Sequence, residues 1–206
     1  MEMLRERVAQ QQRQAGFSLF IWTPYTGTFE HNYIMGITSN DLIAMADGTT
    51  NYISSGNATL MGPCFQALNE SCDTSIVMAE RIKTGAIGNT GDRMPDAVVE
   101  TFACKVNPGS TMADVTAAVD FWKTAVAKMP SPNSYEATML RPYRGTNGDV
   151  DFGWVGASPD LKSWARGDTD YLASKDGQAG KACFAKVSTC RISLWTGYWI
   201  VPPAAQ

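Results

Sequence analysis

The sequence predicts an α+β fold made of two tandem βαββαβ repeats, the first lacking its opening strand. Three observations predict it. One half of the chain echoes the other, apolar residues alternate between strand and helix periods, and turn residues separate these segments in the same order in both halves.

The echo is clearest between ADGTTNYISS, residues 46–55, and ARGDTDYLAS, residues 165–174. Pro24-Tyr25, Gly27 and Thr28 match Pro142-Tyr143, Gly145 and Thr146; Gly36 matches Gly156; Asp41-Leu42 matches Asp160-Leu161. Further on, Cys64-Phe65 matches Cys183-Phe184, and Cys72 matches Cys190. The offset stays between 118 (Pro24 to Pro142) and 120 (Gly36 to Gly156). A collinear series that includes cysteine and tyrosine, both scarce residues, reads as an internal duplication.

The second copy supplies all six elements. AVVETFACKV, residues 97–106, is rich in β-branched and aromatic residues and ends at the turn Asn107-Pro108-Gly109, which makes it a strand. Ser110 or Thr111 can cap the helix that follows, in which Val115, Ala118, Val119, Trp122 and Val126 recur at helical spacing up to the breaker Pro130. SYEATMLRP and VDFGWVG are two strands joined by RGTNGD. Pro159-Asp160 opens a second helix running to about Ser174, and CRISLWTGYWI is the last strand. This order is the ferredoxin-like unit.

The first copy repeats the pattern only from its first helix onward: a helix over about 3–15, strands FSLFIWTP and HNYIMGI, a helix near 40–55 and the strand DTSIVMAERI. Nothing precedes the helix that could be its first strand, so Met1 is expected to be an internal start of a longer reading frame, or else that strand was lost. The predicted boundaries are residues 1–83 for the first repeat, 84–96 for a Gly- and Asp-rich linker, and 97–206 for the second repeat. An incomplete repeat leaves a sheet edge unpaired, so self-association through it is expected.

Two ferredoxin-like units in tandem resemble the dimeric α+β barrel superfamily, which includes antibiotic-biosynthesis monooxygenases and related haem-degrading and stress-response proteins. The resemblance covers nearly the whole chain and rests on element order and duplication. It implies two sheets packed face to face, with pockets between a unit's sheet and its helices. It also implies two kinds of activity: oxidation of aromatic substrates without metal or flavin, or no catalysis at all.

Composition excludes several other classes. With 206 residues, 44% of them hydrophobic, the chain can bury a substantial core. A net charge of −3, with acids and bases interspersed, supplies no basic surface for nucleic acid. No apolar run approaches the ~20 residues a membrane-spanning helix needs, so no membrane partner is expected. Phosphate-binding loops, nucleotide fingerprints, nucleophile elbows and metal-ligand clusters are all missing from the sequence, and no cofactor or metal is expected.

Cys64 and Cys72 enclose seven residues, FQALNES, and Cys183 and Cys190 enclose FAKVST. Recurrence at equivalent positions predicts two local disulfides, with Cys104 left as a buried thiol; five reduced, buried cysteines is the alternative. Disulfides would place the mature protein in an oxidising compartment, periplasmic or secreted, behind a signal peptide encoded upstream. Without one the chain is cytoplasmic. His31, the single histidine, starts a strand of the first copy and is read as a surface residue at a hairpin end, the alternative being a general base or haem ligand.

Five of the six tryptophans lie in the second copy: Trp122, Trp154, Trp164, Trp195 and Trp199. Most are expected to pack the core. The asymmetry places the candidate ligand site in that copy, lined by Trp122 and Trp154 with Lys105, Arg141 or Tyr143 at its mouth, which would suit a flat aromatic or carboxylated molecule. Without a recognisable acid–base set, the chain is expected to be a non-catalytic small-molecule-binding or assembly module. The alternative is a cofactor-independent monooxygenase-like enzyme acting on an aromatic small molecule.

Overall fold

The computed structural model describes residues 17–26, 33–39, 41–54, 75–85, 97–129, 134–144 and 150–201. The helix predicted over about 3–15, His31, Cys64, Cys72 and most of the predicted linker fall outside the described residues. The elements are β1 (Phe17–Thr26), β2 (Ile34–Ser39), α1 (Leu42–Ser54), β3 (Ile76–Lys83), β4 (Ala97–Val106), α2 (Met112–Ala127), β5 (Glu136–Arg144), β6 (Phe152–Ser158), α3 (Leu161–Ala173), α4 (Lys175–Val187) and β7 (Ser188–Val201). They divide into two compact units. One holds β1 to Trp22, β2, α1 and the end of β7 from Tyr198; the other holds the end of β1 and everything from β3 to Gly197.

In the first unit β1 and β2 are antiparallel, in register from Phe17 opposite Ser39 to Trp22 opposite Ile34. Phe20 lies across Gly36, where any side chain would collide with its ring. Phe20 also stacks on Trp22 with centroids 4.6 Å apart and meets Trp199 edge-on at 5.9 Å. Asp41 caps α1, its Oδ1 accepting from the Ala44 N–H at 2.7 Å. Asp160, its counterpart in the echo, caps α3 in the same way, accepting from the Ser163 N–H at 2.7 Å. The repeated Asp-Leu pair is therefore a repeated helix start.

The second unit contains the segment read from the sequence as the complete βαββαβ order. Its strands are hydrogen-bonded in the order β7-β4-β6-β5, all antiparallel, which is the ferredoxin-like arrangement, and β3 adds a fifth strand on β5. By sequence β3 closes the first copy, yet it pairs along its length with the second. Asn107-Pro108-Gly109-Ser110 forms the turn after β4, closed by Ser110 N–H to Asn107 O at 3.0 Å. Gly109 takes φ +83°, the left-handed conformation such a Pro-Gly turn requires. Thr111 and Asp114 cap α2 reciprocally, each side chain bonded to the other's backbone N–H. The predicted face of α2 is the buried one: Val115, Ala118, Val119, Trp122 and Val126 pack with Ala137, Met139, Phe152, Trp154 and Val187.

Two features differ from the sequence-based expectation. The segment between Ser174 and the last strand is a helix, α4, capped by Ser174 Oγ accepting from Gly177 N–H at 2.9 Å. Gly177 and Gly180 lower helix propensity, but tertiary contact requires them: a Cβ at 177 would overlap the Tyr171 carbonyl and one at 180 the Tyr171 hydroxyl. The second difference is in the cysteines. Cys183 sits in α4 as a free thiol, and Cys190 is disulfide-bonded to Cys104, so the Cys183–Cys190 pairing and the free Cys104 are both corrected. Cys104 and Cys190 are direct cross-strand partners on β4 and β7 with Cα atoms 4.1 Å apart. Sheet register, which a local spacing argument does not contain, brought them together.

Candidate functional site

Between the helices and the sheet of the second unit lies a cavity of about 550 Å³. Side chains alternate along a strand, so Glu100, Phe102 and Cys104 of β4 share the face that looks into it. Phe152 and Trp154 of β6 adjoin them, Trp122 comes from α2, Trp164 from α3 and Phe184 from α4. Trp122 and Trp154 meet edge to face with centroids 4.8 Å apart, and Phe184 packs edge-on to Trp154 at 6.1 Å. A smaller depression of about 260 Å³ beside Ala125 and Ser174 is bordered by the exposed Lys128–Asp176 ion pair, 2.9 Å, and has no comparable wall.

Tyr135, just before β5, reaches into this cavity and is held from several sides. Lys83 Nζ at the end of β3 donates to the Tyr135 carbonyl at 2.6 Å, and burial lowers the pKa of that lysine. Gly85 lets the chain pass against residues 134–136; a Cβ there would come within 2.6 Å of the Tyr135 carbonyl carbon and the Glu136 nitrogen. Trp154 Nε1 donates to Tyr135 Oη at 3.3 Å, and the hydroxyl rests over Gly156, which has no side chain to displace it. Burial, reinforced by the charge of Glu100, raises the Tyr135 pKa far above its ordinary value, so the phenol stays protonated.

Glu100 is the one carboxyl projecting from the middle of this wall, flanked across the strands by Gly156 and Leu194. Burial pushes its pKa up to about 7, Asp168 adds to the rise by charge repulsion, and the Trp164 and Tyr135 donors oppose it. The Trp164 indole N–H is fully buried and faces the carboxyl without reaching hydrogen-bond geometry. Glu100 is half-buried, open to the cavity on one side and enclosed by protein on the others, and that enclosure raises its pKa.

Of the residues the sequence singled out, Trp122 and Trp154 line the cavity. Lys105 is exposed on β4, Arg141 on β5 forms an ion pair with Glu80 at 3.6 Å, and Tyr143 is exposed near the end of β5; none of the three lines the cavity. Asp151, just before β6, is structural: its carboxylate accepts from the Val106 N–H at 2.8 Å and its own N–H donates to Cys104 O at 2.8 Å. Sequence reasoning missed Glu100, Tyr135 and α4. A signal for Glu100 was present, since Val98, Glu100, Phe102 and Cys104 fall on one face of a strand and an acid among apolar neighbours needs an explanation.

Comparison with known proteins places this architecture among the ferredoxin-like, dimeric α+β barrel folds. An anthrone oxidase-like protein is similar over 100% of this chain and 92% of its own, with 11% identity and a TM-score of 0.50. A putative chlorite dismutase is similar over 96% of this chain and 83% of its own, with 12% identity and a TM-score of 0.50. SnoaB, a cofactor-independent oxygenase from Streptomyces nogalater, matches 48% of this chain and 89% of its own at 15% identity and a TM-score of 0.36. At these identities the likeness is one of fold. No family model and no curated protein matches the chain. No described helix is long and apolar enough to cross a membrane, and the Cys104–Cys190 bond is compatible with an oxidising compartment.

Proposed function

We propose that the second unit is a binding module for a flat aromatic small molecule, held in the cavity between its helices and its sheet. The carrying observation is the cavity's lining: walls of tryptophan, tyrosine and phenylalanine around the Glu100 carboxyl, in a volume of about 550 Å³. Small-molecule sites typically enclose roughly 300–1,000 Å³ and combine apolar walls with a few polar groups, which supports a ligand of two or three fused rings. A purely assembly role would leave both the space and the inward-facing Glu100 without a purpose.

A second reading, a cofactor-independent monooxygenase-like enzyme acting on an aromatic substrate, draws support from Glu100. A carboxyl that titrates near neutrality inside an apolar cavity can accept a proton from a bound molecule. One experiment separates the two readings. Titration with anthrone, followed by tryptophan fluorescence and an oxygen electrode, is expected to give saturable quenching without protein-dependent oxygen uptake. Oxygen uptake that scales with protein would favour the enzyme, and absence of quenching by anthrone and by simple naphthalenes would overturn both.

A further inference from the structure

We propose that the ligand of this cavity is a cation, a protonated aromatic amine whose ring lies against the indole walls and whose ammonium meets the Glu100 carboxylate. The inference rests on the aromatic-binding reading above and adds the charge of the ligand.

Three observations carry it. Glu100 has no ion-pair partner among the described residues: the Trp164 and Tyr135 groups beside it are neutral donors, and its carboxyl faces open cavity. Its neighbours in the sheet, Gly156 and Leu194, can supply neither. A buried carboxylate without a cation is costly, and a ligand that brings the cation removes that cost. Asp168 on α3 adds a second negative charge to the lining, opposed among the described lining residues only by the exposed Lys181 of α4. The remaining walls are π faces, whose quadrupole attracts cations, and the Tyr135 oxygen offers a further acceptor beside the carboxylate. An anionic ligand would face two carboxylates, and a neutral one would leave Glu100 without a counter-charge.

The groups facing Glu100 set the pH response. Asp168 and Trp164 approach from α3, Tyr135 from the entry to β5, Trp122 from α2 and Lys181 from α4. Burial pushes the Glu100 pKa up to about 7, so amine affinity should strengthen as pH rises through that range.

The test compares two near-isosteric probes, naphthylmethylamine and naphthalenemethanol, by calorimetry and tryptophan quenching on the whole chain. At about pH 8 the amine is expected to bind about tenfold or more tightly than the alcohol, as a charge-assisted bond predicts. The preference should shrink at about pH 5.5, where Glu100 is protonated, and in Glu100→Gln, the amine losing more affinity than the alcohol in both cases. Asp168→Asn, on an exposed position, should weaken amine binding a few-fold and serves as the second variant should Glu100→Gln misfold. Alcohol binding as tight as or tighter than amine at about pH 8 overturns the cation proposal alone. Failure of both probes overturns the aromatic-cavity reading and this proposal with it.

Discussion

Tyr135 rests its hydroxyl in the space that a side chain at Gly156 would occupy, and the Trp154 indole N–H donates to that same hydroxyl at 3.3 Å. The glycine on β6 therefore determines where the cavity's phenol can sit, and through it the polar surroundings of Glu100.

Gly156→Ala is expected to displace Tyr135 and destabilise the fold by about 1–3 kcal/mol, the usual range for overpacking. Urea denaturation measures the loss. A shift in tryptophan emission should accompany it, because the Trp154 donor loses its acceptor. An unchanged midpoint would mean that Tyr135 can leave without consequence.

Reduction of the Cys104–Cys190 bond should lower stability by about 2–4 kcal/mol, since it closes a long loop, with a sequence separation of 86. Peptide mapping of the unreduced protein is expected to recover residues 104 and 190 in one linked fragment and to find Cys183 alkylated. A Cys183–Cys190 peptide would restore the local pairing suggested by the spacing.

Glu100 makes stability depend on pH in a predictable direction. Its pKa is raised from 4.5 to about 7 on folding, so between these values the folded chain keeps a proton that the unfolded chain has released. Stability contributed through this group is therefore fully present below about pH 4.5, falls as pH rises to about 7 and is level above. The decline is at most about 3 kcal/mol, and water entering the cavity reduces it. Urea midpoints across this range for the wild type and Glu100→Gln test it: the difference between them should vary with pH in this way. A constant difference would place the Glu100 titration elsewhere.

Asn107 ties the end of β4 to the end of α4. Its Nδ2 donates to the carbonyls of Ala185 and Lys186 at 3.1 and 3.0 Å, and its Oδ1 accepts from Thr189 Oγ1 at 2.7 Å. Asn107→Ala should cost about 1–2 kcal/mol, the value of a lost helix cap with its partners left to water. Thermal unfolding reads it directly, and hydrogen exchange should show the last turn of α4 opening first.

What was legible in advance was what short-range chemistry decides. The period of Val115, Ala118, Val119, Trp122 and Val126 made α2 and its buried face, the Asn-Pro-Gly sequence made the turn after β4, and the repeated Asp-Leu pair marked two helix starts. These features depend on neighbours within a few residues, and a linear sequence contains them. The cysteine pairing, the helix carrying Gly177 and Gly180, and the site around Glu100 were decided by the tertiary structure. Cys104 meets Cys190 only through the register of β4 on β7, and glycine is needed at 177 and 180 because Tyr171 packs against both positions. Glu100, Tyr135 and Trp164 acquire their chemistry from one another, across segments that the sheet brings together, and an environment of that kind exists only once the chain has folded.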